Sequence, residues 1–197
     1  MPVDIIVDAK SITRMTIELS KVPKDMPKAA SQALNRTVDY LATTTSKEVR
    51  KAYAISKSDV DETITKMKSS PSNMKAGIKS RGRTLTLYNH FRISPRQPVL
   101  GKKYRVKVAI KKGKIQTIQT IQKPFIAKAN NSTQIFKRVG SARKPVVVLR
   151  SLSVPQMVSN EETYFKIQKL AGEMLEKRVA HEISRRMDQL GKVGGKV

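Results

Sequence analysis

The stretch YRVKVAIKKGKIQTI, residues 104–118, decides the fold class. Tyr104, Val106, Val108 and Ile110 alternate with Arg105 and Lys107, so one face is apolar and the other cationic. Alternation with a period of two belongs to a half-buried strand. Lys111, Lys112, Gly113 and Lys114 read as a cationic turn, and residues 115–118 as the return strand of a hairpin. The IQT triplets of residues 115–122 repeat every three residues, which matches neither helix nor strand. Their Ile and Thr favour strand.

The same character extends outward in both directions. Residues 74–79 and 83–91 read as two strands joined at Arg81-Gly82, with Leu85 and Leu87 alternating against Thr84, Thr86 and Tyr88. Pro95 and Pro98 mark a loop. Residues 125–128 and 134–139 flank the turn-forming Asn130, Asn131 and Ser132, which predicts another hairpin. Residues 146–149 read as a short buried strand after Pro145, and Pro155 as a break.

The ends are helical. Val3, Ile5 and Val7 suggest a short initial strand, and Ile12, Met15 and Leu19 a short helix over residues 9–20 that Pro23 ends. A longer helix is expected over residues 25–54, capped by Asp25. Its stripe is Ala30, Leu34, Val38, Leu41, Thr45, Val49 and Ala52. A core helix is the simplest reading of that stripe, and a face for a neighbouring subunit is the alternative. Ser56, Ser58 and Asp59 signal a further helix over residues 59–68 with Val60, Ile64 and Met67 on one face. Ser159 and Glu162 have capping-box spacing before a C-terminal helix that reaches residue 190. Its stripe is Ile167, Ala171, Leu175, Val179, Ile183, Met187 and Leu190, and Gly191 is placed to stop it. The expected class is α+β: a helical N-terminal part and a long C-terminal helix packed on an antiparallel sheet of basic hairpins. One domain is expected over residues 1–190, with parts at 1–70, 74–150 and 159–190, followed by a flexible tail at 191–197.

Charge follows the same division. Residues 63–160 contain no Asp or Glu, yet hold 22 of the chain's 40 Lys and Arg. The flanks hold the other 18, together with all 15 acidic residues, so nearly all of the +25 net charge belongs to the middle. So one-sided a field attracts polyanions. The candidate contacts to DNA or an acidic partner are Lys75, Lys79, Arg81, Arg83, Lys102, Lys103, Arg105, Lys107, Lys111, Lys112 and Lys114. Such contacts give salt-sensitive, sequence-independent affinity. With no recognition-helix or zinc-finger pattern and few aromatic residues, base reading is not expected.

Enzyme chemistry finds little to work with. Cysteine is absent, which excludes thiolate catalysis, disulfides and Cys-based zinc sites. His90 has no carboxylate nearby in sequence, and His181 has no ligand partner one helical turn away. Asp59, Asp61 and Glu62 sit at a helix start, where acids favour the dipole. No phosphate loop, nucleophile elbow or H-E-x-x-H motif is present, so neither cofactor nor catalytic or metal site is expected. The first residues lack a signal-peptide pattern, and no apolar run approaches about 20 residues. A soluble protein without membrane contact, intracellular when made, is expected.

Two stretches resemble a known family: KAASQALNRTVDYLATTTSKEVRKAYAISKSDV (residues 28–60) and KPFIAKANNSTQIFKRVGSARKPVVVLRSLSVPQMV (residues 123–158). The most telling pieces are ALNR at residues 33–36, PFIA at 124–127, and FKRVG followed by RKPV within 136–146. In order and spacing they resemble the minor tail protein Z family of tailed phages and prophages, and the resemblance passes over residues 95–122. It implies a structural tail completion protein at the head-proximal end of a long tail, acting in tail assembly and head–tail joining. The implied partners are other tail and neck proteins and further copies in a ring, and the implied location is the virion, after assembly in the host cytoplasm. Closed rings need a heterologous interface, for which Leu34, Val38, Leu41, Phe125, Phe136, Arg138 and Arg143 are candidates. The basic hairpins could then line a channel beside double-stranded DNA. The alternatives are a sequence-independent nucleic-acid-binding protein and a transient tail-assembly factor.

Overall fold

The computed structural model describes residues 3–7, 26–98, 104–129 and 131–194. The expected helix at residues 9–20, the cap Asp25, and Lys102 and Lys103 lie outside them.

Two long helices frame the core. Helix α1 (Met26–Ala52) buries Ala33, Leu34, Val38, Leu41 and Val49 completely. These positions follow the three-and-four spacing that puts one stripe on the core side. Helix α5 (Glu161–Gly194) buries Ile167, Ala171, Leu175 and Val179, each one turn after the last. The helices run antiparallel against each other. Arg36, early in α1, meets Glu182, late in α5, and the end of α1 shares a cleft with the start of α5. α5 continues through Gly191 to Gly194. Glycine permits a helix stop but does not impose one.

Strands β1 (Val3–Val7), β2 (Ile64–Met67) and β3 (Ala76–Ser80) form an antiparallel sheet in the order β1-β3-β2. The middle strand buries Ala76, Gly77, Ile78 and Ser80 and packs on α1. The expected helix at residues 59–68 splits here. Only α2 (Lys57–Asp61) is helical, with the Ser56 hydroxyl accepting from the Asp59 amide. Ile64 and Met67 belong to β2 instead. The β-branched run Thr63-Ile64-Thr65 favours the extended form once β3 offers an edge. Asn35 then fastens the end of β2 to α1. Its Nδ2 donates to the Ser69 carbonyl at 3.1 Å, and its Oδ1 accepts from the Ser69 amide at 2.7 Å.

Residues 74–91 are not a hairpin. β1 and β2 occupy both edges of β3, so the chain leaves that sheet after Ser80. The Arg81 amide donates to the Thr63 carbonyl at 2.9 Å. A Cβ on Gly82 would stand 3.0 Å from Thr63 Cγ2, so the crossing runs close against β2. β4 (Thr84–Thr86) pairs with the distant β11 (Arg150–Ser153). The chain then turns into α3 (Leu87–His90), which buries Leu87.

β5 (Arg92–Ser94), β6 (Lys107–Ala109) and β7 (Gln116–Thr117) form a third sheet in that order. The hairpin read from residues 104–118 is therefore present, with Lys107 opposite Thr117. Val106 and Val108 point inward while Arg105 and Lys107 are exposed. Of the IQT triplets only Gln116 and Thr117 are strand, and Ile121 is fully exposed.

The last sheet is β10-β9-β8, from β8 (Phe125–Ala129), β9 (Ser132–Arg138) and β10 (Val146–Val148). Asn131 takes a left-handed φ of 57° at its hairpin, a conformation Asn tolerates. β10 was expected to be buried, but Val146 and Val147 are exposed on an outer strand. Pro155 does not break the chain. It sits in the first turn of α4 (Val154–Val158), where its missing N–H costs nothing. The capping box is here and not at Ser159. Ser153 Oγ accepts from the Gln156 amide, and Gln156 Oε1 accepts from the Ser153 amide at 2.9 Å. Ser159 closes α4 instead, donating to the Gln156 carbonyl. Ser153→Ala is expected to lower stability by about 1 kcal/mol, read as a shifted urea midpoint at constant slope.

One buried cluster joins both long helices, α4 and residues from three of the sheets, including Ile78, Val108, Ile126, Ile135 and Met157, and Leu85 of β4 packs against it. The architecture is α+β, as expected.

Candidate nucleic-acid interface

The β6–β7 turn carries Lys111, Lys112 and Lys114 within four residues, all exposed. Gly113 sits at φ 77°, a conformation that disfavours any side chain, and lets the turn close. The Lys114 amide donates to the Lys111 carbonyl at 3.3 Å. Two bonds tie the turn to the end of α1. The Ala54 amide donates to the Ile110 carbonyl at 2.8 Å, and the Lys112 amide to the Ala52 carbonyl at 3.0 Å. These lysines thus sit near a helix C-terminus, whose carbonyls favour cations.

On the other side stands the start of α5. Between them lies a cleft of about 350 Å³, lined by the three turn lysines, Lys51, Lys166, Asn160 and Thr163. The two carboxylates in its wall are already engaged. Glu48 accepts from Lys51 at 2.5 Å, and Glu162 from Lys166 at 2.6 Å. The Lys166 hydrogen bond, then its charge and that of Lys111, hold the Glu162 carboxyl below its usual value. The same bond raises the Lys166 ammonium. Near neutral pH both stay charged. Among the described residues no carboxylate pairs with Lys112 or Lys114. The local excess of charge is therefore positive and open to solvent.

The other predicted basic residues fall in two places. Arg105 and Lys107 are exposed on and beside β6, next to the turn. Lys75, Lys79, Arg81 and Arg83 follow β3 and the crossing to β4, with Lys79 half-buried and the rest exposed. The structure joins the turn lysines with Lys51 and Lys166, which sequence reasoning had left out. Lys51 was visible only as a residue off the α1 stripe, and Lys166 only as a helical partner of Glu162.

His90 acquires the carboxylate its sequence neighbourhood lacks. Its Nδ1 lies 2.9 Å from Asp59 Oδ1, which ties α3 to α2. His181 is exposed on α5. No cluster of three or more potential metal ligands occurs among the described residues.

The residues offered as a subunit face divide. Leu34, Val38 and Leu41 are fully buried in this chain's own core, which leaves them no surface for a partner. Phe125 and Phe136 stack with centroids 6.0 Å apart, and the Arg138 guanidinium lies 5.3 Å over the Phe125 ring. Arg138 Nη1 also donates to the Arg143 carbonyl at 2.5 Å. Phe136 is buried, Phe125 and Arg138 are half-buried, and Arg143 is exposed.

No curated protein and no solved structure gives a significant match to this chain. A family model described as prophage minor tail protein Z matches residues 10–191. That match takes in nearly all of both long helices, every strand after β1, the cationic turn and residues 95–122, over which the motif resemblance had passed. With nearly its whole length covered, the chain belongs to the prophage minor tail protein Z family, whose members are structural proteins of the phage tail.

Proposed function

We propose that this tail protein is a tail completion protein at the head-proximal end of a long tail. It assembles in the host cytoplasm as a closed ring of copies, each a single domain, and joins tail to head within the virion. The observation that carries the reading is the confinement of charge to one segment, residues 63–160, with no acidic residue in it. A ring at the tail entrance must let DNA pass. Exposed lysines on a tied hairpin suit a channel wall, while the nearly neutral terminal helices limit repulsion between copies. For the contact between copies, the β8–β10 sheet is favoured. Its outer strand exposes Val146 and Val147 at 39% each, near exposed Val139 and Arg143. An outer strand with apolar side chains invites pairing with another chain.

Phage assembled without this chain is expected to accumulate filled heads and separate tails, visible by negative-stain microscopy. Normal numbers of joined, infectious particles would overturn the proposal.

A further inference from the structure

We infer that the lysine cleft between the β6–β7 turn and the start of α5 binds the phosphodiester backbone of double-stranded DNA. This inference rests on the DNA-facing part of the function proposed above and names the contact. The backbone that carries the turn lysines is held in place, because backbone bonds tie residues 110 and 112 to the end of α1. Binding then has only side chains to order, and no loop. Glu48 and Glu162 are each occupied by a lysine, which leaves Lys112 and Lys114 free for an added anion. The first amides of α5 contribute partial positive charge to the same cleft, beside Asn160 and Thr163.

Every cation lining the cleft is a lysine. Lysine binds phosphate as a compact point charge. Five lysines against two engaged carboxylates match the dense negative charge of a duplex backbone. An acidic peptide is the rival occupant that the test below separates. The one ring in the wall, Tyr53, is 5% exposed and offers no platform for a base. The contact positions a backbone and reads no sequence.

The test compares Lys112→Gln/Lys114→Gln with a control, Lys123→Gln/Lys128→Gln, in the full chain. The control removes equal charge from exposed positions of the same acid-free segment outside the cleft. Binding of a fluorescent mixed-sequence duplex is titrated by anisotropy across a salt series. If each turn lysine neutralises one phosphate, the cleft variant loses roughly 30-fold in affinity at physiological salt, and its salt slope falls by about 1.8. The control is expected to retain most of the wild-type slope. Equal losses in both variants would overturn the site in favour of diffuse attraction. An unchanged duplex titration with binding of poly-glutamate abolished would assign the cleft to an acidic protein segment. Counting the chain in phage particles separates this from the tail role. Particle membership with unaltered duplex binding removes the cleft alone, and cleft-dependent binding without membership removes the tail role alone.

Discussion

Leu34→Ala is expected to destabilise the protein by about 3 to 4 kcal/mol. Leu34 is fully buried on α1, within the core cluster that α1 and α5 enclose. Truncation removes buried apolar atoms and leaves a cavity that two long, mutually packed helices close only in part. For a domain whose total stability is about 5–15 kcal/mol, that is a large share. Urea denaturation checks it as a lower midpoint at constant slope. The same experiment separates the two readings of the α1 stripe. A core residue destabilises the chain at any protein concentration. A subunit-face residue would leave the isolated chain nearly unaffected and make the loss concentration-dependent.

Arg36→Met is expected to cost about 2 to 4 kcal/mol, more than Glu182→Gln. Glu182 is 1% exposed on the inner side of α5. Arg36 Nη1 lies 2.5 Å from its Oε1, off the hydrogen-bond axis, so the contact is an ion pair without an aligned bond. Arg185 stands farther off, at 3.8 Å from Oε2. Removing Arg36 leaves the buried carboxylate to the more distant Arg185. Removing the charge of Glu182 leaves Arg36, whose side chain is 43% exposed, free to hydrate. The double variant Arg36→Met/Glu182→Met is expected to recover most of the loss, because an apolar pair can replace a buried ion pair at little cost. Thermal melts of Arg36→Met, Glu182→Met and the double variant give the coupling, and additive losses would show that the pair does not act as a unit.

Local patterns were legible where the partner was also local. The alternation of residues 104–110 and the turn at 111–114 foretold the β6–β7 hairpin, because the two strands directly flank that turn. Asn131 marked the β8–β9 hairpin for the same reason. The stripes of α1 and α5 were legible because helix hydrogen bonds stay within the segment. Reading failed where a distant strand decided. Residues 76–80 and 84–86 looked like one hairpin, but β1 and β2 claim the first and β11 the second. Ile64 and Met67 are three apart, which suits a helix face, and the edge of β3 drew them into a strand. The capping box formed at Ser153 and not at Ser159, because Pro155 starts the short helix α4 there, while α5 begins separately at Glu161.

The candidate site was half visible. The turn lysines stood out as a run. Lys51 and Lys166 join them only because the antiparallel helices bring the end of α1 to the start of α5. The Arg36–Glu182 pair had no sequence signal beyond an acid lying between Val179 and Ile183 of the inward stripe.

The central claim is that this chain is a built-in part of the tail. Quantitative peptide mass spectrometry of purified phage particles tests it most directly, counting this chain against the major tail protein. A fixed small copy number, on the order of six as closed cyclic symmetry allows, is the predicted result. Absence from purified particles would contradict it and leave a protein that acts on the tail or on DNA and then departs.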